Sequence, residues 1–377
     1  MSGWMKKELG EVCTLQRGFD LPTKQRKEGD YPLISSSGCT DMQAEAKISG
    51  PGVVTGRSGS IGSVFFINQD FWPLNTTLYV KDFHGNDPRF IYYLLRKFDL
   101  KRFISGTGVP TLNRNSVHGE LVYIPSEIDE QKQIVAIVDQ AFEAIDGAIE
   151  NTKQNLANAR ELFESYLNTV FDRKGDRWKT KRLGDLAEVQ SGGTPSRAKN
   201  EYWGGSIAWY SSGELNDLHT VSPERHITDQ GLENSNAKSF PKSSLLIGMY
   251  DTAALKMSIL DREAAFNQAI AGVKPNKEID LVFILHAINY VKPEILNLRR
   301  GVRQKNLSLQ KIKDVILAVP PLTEQKQVVQ QLALMTAETQ RLEAIYRQKL
   351  ADLTELKQSI LQKAFSGELT ADSAKAR

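Results

Sequence analysis

Asp129-Glu130-Gln131-Lys132-Gln133-Ile134-Val135 recurs later in the chain as Thr323-Glu324-Gln325-Lys326-Gln327-Val328-Val329. Each copy opens a long stretch without proline. Apolar or small residues follow in steps of three and four. The first stretch carries Ile134, Val138, Ala141, Ile145, Ala148, Thr152, Leu156, Ala159, Phe163, Tyr166 and Val170. The second carries Val328, Leu332, Met335, Thr339, Leu342, Tyr346, Leu350, Leu353, Leu356, Ile360 and Ala364. That period draws one narrow seam along a helix, as in a coiled coil. Asp129 and Thr323 stand where an N-cap is needed, and each is followed by Glu, which suits the positive helix end. Pro125 and Pro320-Pro321 stop the strand expected before each helix. A helix of roughly 40 residues spans on the order of 60 Å.

Working outward, the repeat covers more than the helices. Trp4-Met5-Lys6-Lys7-Glu8-Leu9-Gly10-Glu11-Val12 is answered by Trp178-Lys179-Thr180-Lys181-Arg182-Leu183-Gly184-Asp185-Leu186. The helix ends match too: Glu161-Leu162-Phe163-Glu164-Ser165 through Phe171 answers Glu355-Leu356-Lys357-Gln358-Ser359 through Phe365. Between these marks lie short β-branched and aromatic runs bounded by Gly, Asn, Asp and Pro: 53–55, 63–67 and 77–80 in the first half, 244–247 and 257–260 in the second. Phe90–Leu95 and Val282–Ile288 read as short helices, and Asn75 falls near the place of Asn267. The expected class is α+β: two globular α/β domains joined by two long antiparallel helices, with an internal pseudo-two-fold repeat. The expected boundaries are a first domain over 1–128, a helix over 129–172, a second domain over 173–322, a helix over 323–365 and a flexible tail over 366–377. Antiparallel pairing would place the domains at opposite ends of a rod. The seam is soft, with Thr152, Thr339 and several alanines. Close small-residue packing explains that, and so does a need for partner helices. Outer apolar residues such as Ile137, Phe142, Ile149, Leu334 and Ile345 favour partners.

Composition narrows the function classes. The 377 residues allow two domains with real cores. Lys+Arg 48 against Asp+Glu 45 leaves a formal charge of only +3, too little to coat nucleic acid unaided but compatible with local basic faces. Two cysteines without CxxC spacing, Cys13 and Cys39, fit reduced thiols rather than a disulfide framework or a zinc site. The first residues lack a signal-peptide apolar stretch, and no run of about 18 apolar residues reads as a membrane span. A cytoplasmic protein without membrane contact is the expectation.

Enzymatic signatures are missing from the sequence. No G-x-x-x-x-G-K-[ST] loop is present, and no Asn- or Asp-Pro-Pro-aromatic methyltransferase motif. The histidines His84, His118, His219, His226 and His286 are scattered without metal-pair spacing. Gly56-Arg57-Ser58-Gly59-Ser60-Ile61-Gly62 has glycines for a phosphate cradle but lacks the Lys. Its counterpart Gly248-Met249-Tyr250-Asp251-Thr252 has lost the later glycines, so a turn between strands competes with a DNA-contacting loop.

These motifs together resemble the specificity subunit of type I restriction-modification systems. The resemblance rests on the Glu-Gln-Lys-Gln-Ile/Val helix start after Pro, the Leu-Gly-Glu/Asp opening, and the ending Leu356-Lys357-Gln358-Ser359-Ile360-Leu361-Gln362-Lys363-Ala364-Phe365-Ser366-Gly367-Glu368-Leu369. Ser191-Gly192-Gly193-Thr194-Pro195-Ser196-Arg197, Tyr202-Trp203-Gly204-Gly205 and Ile207-Ala208-Trp209-Tyr210-Ser211-Ser212-Gly213-Glu214-Leu215 are similar to its target-recognition domains, as is the 56–62 loop. The resemblance implies a non-catalytic DNA reader. Each domain would read one half of an asymmetric split target on double-stranded DNA. The helices would space the halves and recruit two modification (methyltransferase) subunits, and a restriction (endonuclease/translocase) subunit would join. S-adenosylmethionine, ATP and Mg would belong to those partners, with none bound by this chain.

On that reading, polar and basic loop residues are the candidates for DNA contact. In the first half they are Arg17, Ser35, Ser36, Ser37, Arg57, Ser58, Thr107 and Arg114. In the second they are Thr194, Arg197, Tyr210, Ser211, Ser212, Lys256, Arg299, Arg303 and Lys305. For each one, a solvated loop side chain is the competing reading, and Tyr210, with Trp209, reads as a core or edge aromatic rather than a base-stacking platform. Two further functions compete with the DNA reader: a coiled-coil adaptor that binds no DNA, and an enzyme with an unrecognised site.

Overall fold

The computed structural model describes residues 3–106, 110–297 and 306–369. The chain divides into two units, Met1–Gln154 with Tyr346–Arg377, and Asn155–Ile345. Each unit contains one globular α/β domain with portions of the long helices Ile128–Asp172 and Leu322–Ala364.

The main sheets of the two domains repeat each other, and the first domain adds a short pair, Ile104–Ser105 with Thr111–Leu112. In the first, Trp4–Glu8 pairs antiparallel with Leu121–Pro125. A four-stranded sheet runs in the order Thr14–Arg17, Thr77–Asp82, Gly52–Gly56, Val64–Ile67, and a three-stranded sheet in the order Gly38–Gln43, Tyr31–Ser35, Trp72–Pro73. In the second, Lys179–Arg182 pairs with Ile316–Val319. The four-stranded order is Val189–Ser191, Ile270–Val273, Leu245–Gly248, Met257–Ile259, and the three-stranded order is Arg225–Ile227, Trp203–Tyr210, Ala264–Phe266. Both small sheets contain one parallel pair. The central strands are apolar on both faces because each is covered on both, with Val53, Val54, Leu245, Leu246 and Ile247 at 0% exposure.

The recurring sequence marks are the points where helix and domain are pinned. Trp4 Nε1 donates to Glu130 Oε1 at 2.9 Å, and Trp178 Nε1 donates to Glu324 Oε1 at 2.8 Å. The next residue turns inward. Gln131 is 2% exposed and Gln325 1%. The Gln131 carboxamide accepts from Asp87 N at 3.0 Å, and that of Gln325 from Asp280 N at 2.8 Å. Asp87 and Asp280 in turn accept from the first N–H groups of the helices Pro88–Lys97 and Leu281–Asn297. The third residue, Lys132 or Lys326, is exposed. The Glu-Gln-Lys motif is thus a strand clamp, a helix-cap clamp and a solvent position in sequence.

Within each unit the two helix portions run antiparallel. In the first, Ile134, Val138 and Phe142 share a core with Leu361, Ala364 and Phe365, and Lys357 reaches Asp146. In the second, Leu167 and Phe171 share a core with Val328 and Leu332, the Tyr166 hydroxyl donates to Gln331 Oε1 at 3.2 Å, and Arg160 pairs with Glu343 at 3.2 Å. Ile145 is buried, while Phe163 and Leu342 are half-buried.

Four expectations need correction. Leu356 is 46% exposed. Two consecutive three-residue steps from Leu350 leave it about 120° behind a 3.6-residue helix. Lys357 takes the inward place, with its ammonium 4.7 Å from the Phe142 ring centroid. Phe142 itself is 5% exposed, so it is core rather than an outer extra. The helices begin at Ile128 and Leu322, so Asp129 and Thr323 lie in the first turn instead of capping it. The first turns close on the carbonyls of Glu127 and Pro321. Finally, Ser366 to Leu369 are not a loose tail: Leu369 packs on the first domain's core. Residues 370–377 lie outside the described residues.

Candidate functional site

In the first unit, one backbone crossing gathers the polar loops. The strand Thr14–Arg17 runs into Gly18, where a Cβ would fall 2.2 Å from Leu74 O. Only glycine lets the two chains approach so closely. Gly18 N then donates to Thr77 O at 3.1 Å, Phe19 N to Pro73 O at 2.8 Å, and Leu74 N to Ile34 O at 2.8 Å. These bonds place three loops side by side: Arg17–Asp20, Ser35–Ser37 and Asn75–Thr76. A fourth joins when Arg57 N and Ser58 N donate to Thr76 O at 2.8 and 3.1 Å.

The side chains there are already organised. Arg17 Nη2 donates to both Asp20 oxygens at 3.1 and 3.2 Å, and Asn75 Nδ2 donates to the same carboxylate. Arg57 Nη1 donates to Asn75 O at 3.4 Å. The Ser35 and Ser37 hydroxyls lie 2.9 Å apart. The result is an exposed or half-exposed patch with cationic, amide, hydroxyl and carboxylate groups held within a few bonds of each other.

The second unit builds the same crossing from different residues. Gly192 N donates to Ile270 O at 3.2 Å, Gly193 N to Phe266 O at 2.9 Å, and Asn267 N to Tyr210 O at 3.0 Å. A Cβ on Gly192 would meet Phe266 O at 2.1 Å, and one on Gly193 would meet Asn236 C at 2.2 Å. Ser191-Gly192-Gly193-Thr194 therefore marks a close backbone crossing. Beside it opens a polar cleft of about 450 Å³ lined by Thr194, Arg197, Ser211, Glu214, Arg225 and Gln268 among others. Thr194 Oγ1 donates to Gln268 Oε1 at 2.5 Å. The Glu214 carboxylate accepts from Ser211 N at 2.7 Å and Glu224 N at 2.9 Å, which fixes that wall. The Arg225 guanidinium stands 5.8 Å from the Trp203 ring centroid.

Arg17, Ser35, Ser37, Arg57 and Ser58 thus come together in the first unit, and Thr194, Arg197 and Ser211 in the second. Ser212 is half-buried next to that cleft, in the turn Ser212–Glu214. Two candidates are corrected. Tyr210 is 1% exposed, with its hydroxyl donating to Val221 O at 2.7 Å, because its strand position faces the core. Ser36 is 9% exposed, and its N–H donates to Thr76 Oγ1 at 3.3 Å, so it supports the patch from beneath. Lys256 lies elsewhere, with its ammonium on Asn216 Oδ1 at 2.8 Å. Arg114 is exposed at the start of the short helix Arg114–His118. Thr107, Arg299, Arg303 and Lys305 lie outside the described residues.

The 56–62 loop is a strand connection. A Cβ on Gly56 would meet Ser60 O at 2.0 Å, and Gly62 adopts φ 85°. In the second unit Gly248 has the matching constraint, 2.1 Å from Ala253 O, and Leu255 adopts φ 56° at the place of Gly62. Burial pushes the Cys13 thiol up to about 12, leaving it an inert core group. Among the described residues, no cluster of three or more His, Cys, Asp or Glu could hold a metal ion, and no helix is long and apolar enough to cross a membrane. Sequence reasoning passed over Asp20, Gln268, Glu214 and Arg225. Asp20, Gln268 and Glu214 are carboxylates or an amide, outside the basic and hydroxyl groups expected there, and Arg225 is basic but lies in the strand Arg225–Ile227 rather than in a loop. The nearness of Asn75 and Asn267 in the repeat was the available signal, one residue out of register: the matching backbone bonds equate Leu74 with Asn267 and Asn75 with Gln268.

A family model described as the type I restriction modification DNA specificity domain matches residues 1–158 and 175–350. The EcoR124I/EcoR124II specificity subunit of Escherichia coli is 27% identical over 212 residues, covering 53% of this chain and 50% of that protein. A putative MjaX specificity subunit of Methanocaldococcus jannaschii is 24% identical over 274 residues, covering 65% of this chain and 60% of that protein. The matches thus span about half to three-fifths of the length of these relatives. Among solved structures, a chain from work on complex assembly and conformational transition of the type I R-M system superimposes with a TM-score of 0.77 at 19% identity, covering 98% of this chain and 99% of that one. The HsdS subunit from Thermoanaerobacter tengcongensis gives 0.63 at 20% identity, covering 97% of each. At these identities the superpositions establish the shared fold.

Proposed function

The chain belongs to the type I restriction-modification DNA specificity family, and on that premise we propose that each of its domains reads one half of a bipartite DNA target. One observation carries this reading. The same backbone crossing is built twice, at Gly18 and at Gly192-Gly193, yet the side chains around it differ. A repeated frame with changed lining is what two readers of different half-sequences need. Arg, Asn, Gln, Ser and carboxylate groups are the side chains that match base edges in the major groove, and Arg also meets phosphate. The full target in this reading is asymmetric.

The chain makes no bonds itself in this reading. The long helices hold the half-targets at a set separation and dock two modification subunits, which carry the S-adenosylmethionine-dependent methylation. A restriction subunit supplies the ATP- and Mg-dependent steps. Because the net charge is only +3, the chain alone binds DNA weakly, and the modification subunits supply further phosphate contacts. The test measures duplex binding at one fixed salt concentration, with and without the modification subunit. Tight, sequence-specific binding is expected only with it. Exchange of residues 1–128 for another family member's first domain should then change one half of the recognised sequence. Equal affinity with and without the subunit, or a change in both halves on exchange, would refute the reading.

A further inference from the structure

The second unit contains a groove of about 790 Å³ beside the helix Leu281–Asn297 and the portions of the long helices that belong to this unit. Its lining includes Phe163, Met257, Leu285, Val329 and Ala333. Two polar atoms buried in its wall, Thr339 Oγ1 and His286 Nδ1, have no hydrogen-bond partner among the described residues. Thr339 is 8% exposed, so water reaches it poorly. A buried hydroxyl without a partner favours an occupant that can satisfy it.

The equivalent space in the first unit is filled by its own side chains. The repeat aligns Arg89 with Val282, Tyr93 with His286, Asp139 with Ala333, Phe142 with Thr336 and Lys357 with Phe163. In the first unit Arg89 Nε donates to both Asp139 oxygens at 2.9 and 2.8 Å, and the Tyr93 hydroxyl donates to the same carboxylate. Arg96 and Lys357 lie over the Phe142 ring at 5.4 and 4.7 Å. Four of the five second-unit counterparts are smaller, and none of the five bears a formal charge at neutral pH. The vacated space is the groove.

The surroundings indicate what fills it. Glu164, Asp217 and Glu343 stand around the groove, and Arg160, the one Lys or Arg among the described residues that line it, pairs with Glu343 at 3.2 Å. The excess is acidic. Leu334 and Ile345, 72% and 47% exposed on the same helix, lie about 140–160° around it from the residues that line the groove, so the apolar surface of the slot is its own lining. An apolar slot with an acidic rim fits an apolar anchor flanked by Lys or Arg on a protein partner.

We infer that the groove receives such an anchor from one modification subunit, that the first unit offers no equivalent slot, and that the two copies therefore bind with unequal affinity. This inference rests on the subunit reading above. Burial of one large apolar side chain corresponds to a gap of about ten- to a hundred-fold between the two binding steps. The experiment titrates the full chain with the modification subunit and follows both steps by calorimetry and native mass spectrometry. Thr336→Phe installs the first unit's residue in the groove. It should weaken the tighter step until the two steps nearly coincide, and leave the weaker step alone. Glu164→Lys alters only an exposed rim charge, so it carries the test if Thr336→Phe does not fold. It should weaken the same step, and more at low salt. Two equal steps for the unmodified chain would overturn the inference alone, as would a tight step indifferent to both variants. Absence of any binding would instead remove the subunit reading, and this inference with it.

Discussion

Gln325→Leu tests the proposal that the Glu-Gln-Lys motif is a structural clamp. Leucine nearly matches the volume of glutamine, so packing changes little. What is lost is polar pairing. Gln325 Nε2 donates to Pro320 O at 2.9 Å and Glu278 O at 3.3 Å, and its Oε1 accepts from Asp280 N at 2.8 Å. With the residue only 1% exposed, no water replaces these bonds. A buried group left unpaired costs about 1–3 kcal/mol, and at least one donor and one acceptor are stranded. The expected loss is therefore about 2–5 kcal/mol. Urea denaturation of the full chain, followed by tryptophan fluorescence, reads it as an earlier transition of the second unit. Gln131→Leu should shift the first unit's transition instead, since Gln131 makes the matching contacts with Asp87 and Pro125. Lys326→Leu, on the exposed neighbour, serves as the control and should stay within about 0.5 kcal/mol. A Gln325→Leu midpoint no lower than that control would refute the clamp.

Other expectations follow from the same geometry. Ile145→Asp should destabilise the first unit by several kcal/mol, roughly the cost of an unpaired buried charge, whereas Leu356→Asp on the exposed face should be near neutral; melting curves of the two variants compare them directly. Burial pushes the His286 imidazole down to about 4 from an ordinary value of 6.5. The unfolded chain binds its proton first, so the stabilisation from the neutral ring is complete above pH 6.5 and is lost as pH falls towards 4, by roughly 3 kcal/mol in all. His286→Gln should flatten that part of the stability–pH profile, and an unchanged profile would refute it. Gly193→Ala should fold poorly or lose the second unit's DNA selectivity, because its Cβ would meet Asn236 C at 2.2 Å; wild-type stability and selectivity would show that the crossing has slack. In the assembled complex, Gln268→Ala should relax one position of the second half-target at a cost of about 1–3 kcal/mol and leave the first half-target unchanged, as read by binding to a panel of duplexes; a uniform loss on all sequences would mark a phosphate contact instead.

Periodicity and repetition made much of the architecture legible. A three-four seam has meaning only on a helix, so the two long helices could be placed to within a residue or two. The repeated Trp and Glu-Gln-Lys-Gln marks announced two similar units, because a pinned strand–helix junction restricts its residues at every pinning point. The seam failed at Leu356, where Lys357 lies inward instead: a lysine stem can cover an aromatic ring while its charge reaches Asp146, and a pattern of apolar residues does not register that.

The candidate patches were legible only in part. Arg17, Ser35 and Arg57 stand far apart in the chain, and nothing local in the sequence says that they meet. Their meeting depends on backbone bonds across Gly18 and Thr76 that form only when the sheets are assembled. Tyr210 shows the opposite case: it adjoins Ser211 in sequence, yet successive strand residues point to opposite faces, so one enters the core while the other lines the cleft. The groove of the second unit was hidden for a third reason. Each substitution that opens it, Val for Arg or Ala for Asp, is unremarkable in its own helix. Only the packing of several helix segments adds those small losses of volume into one cavity.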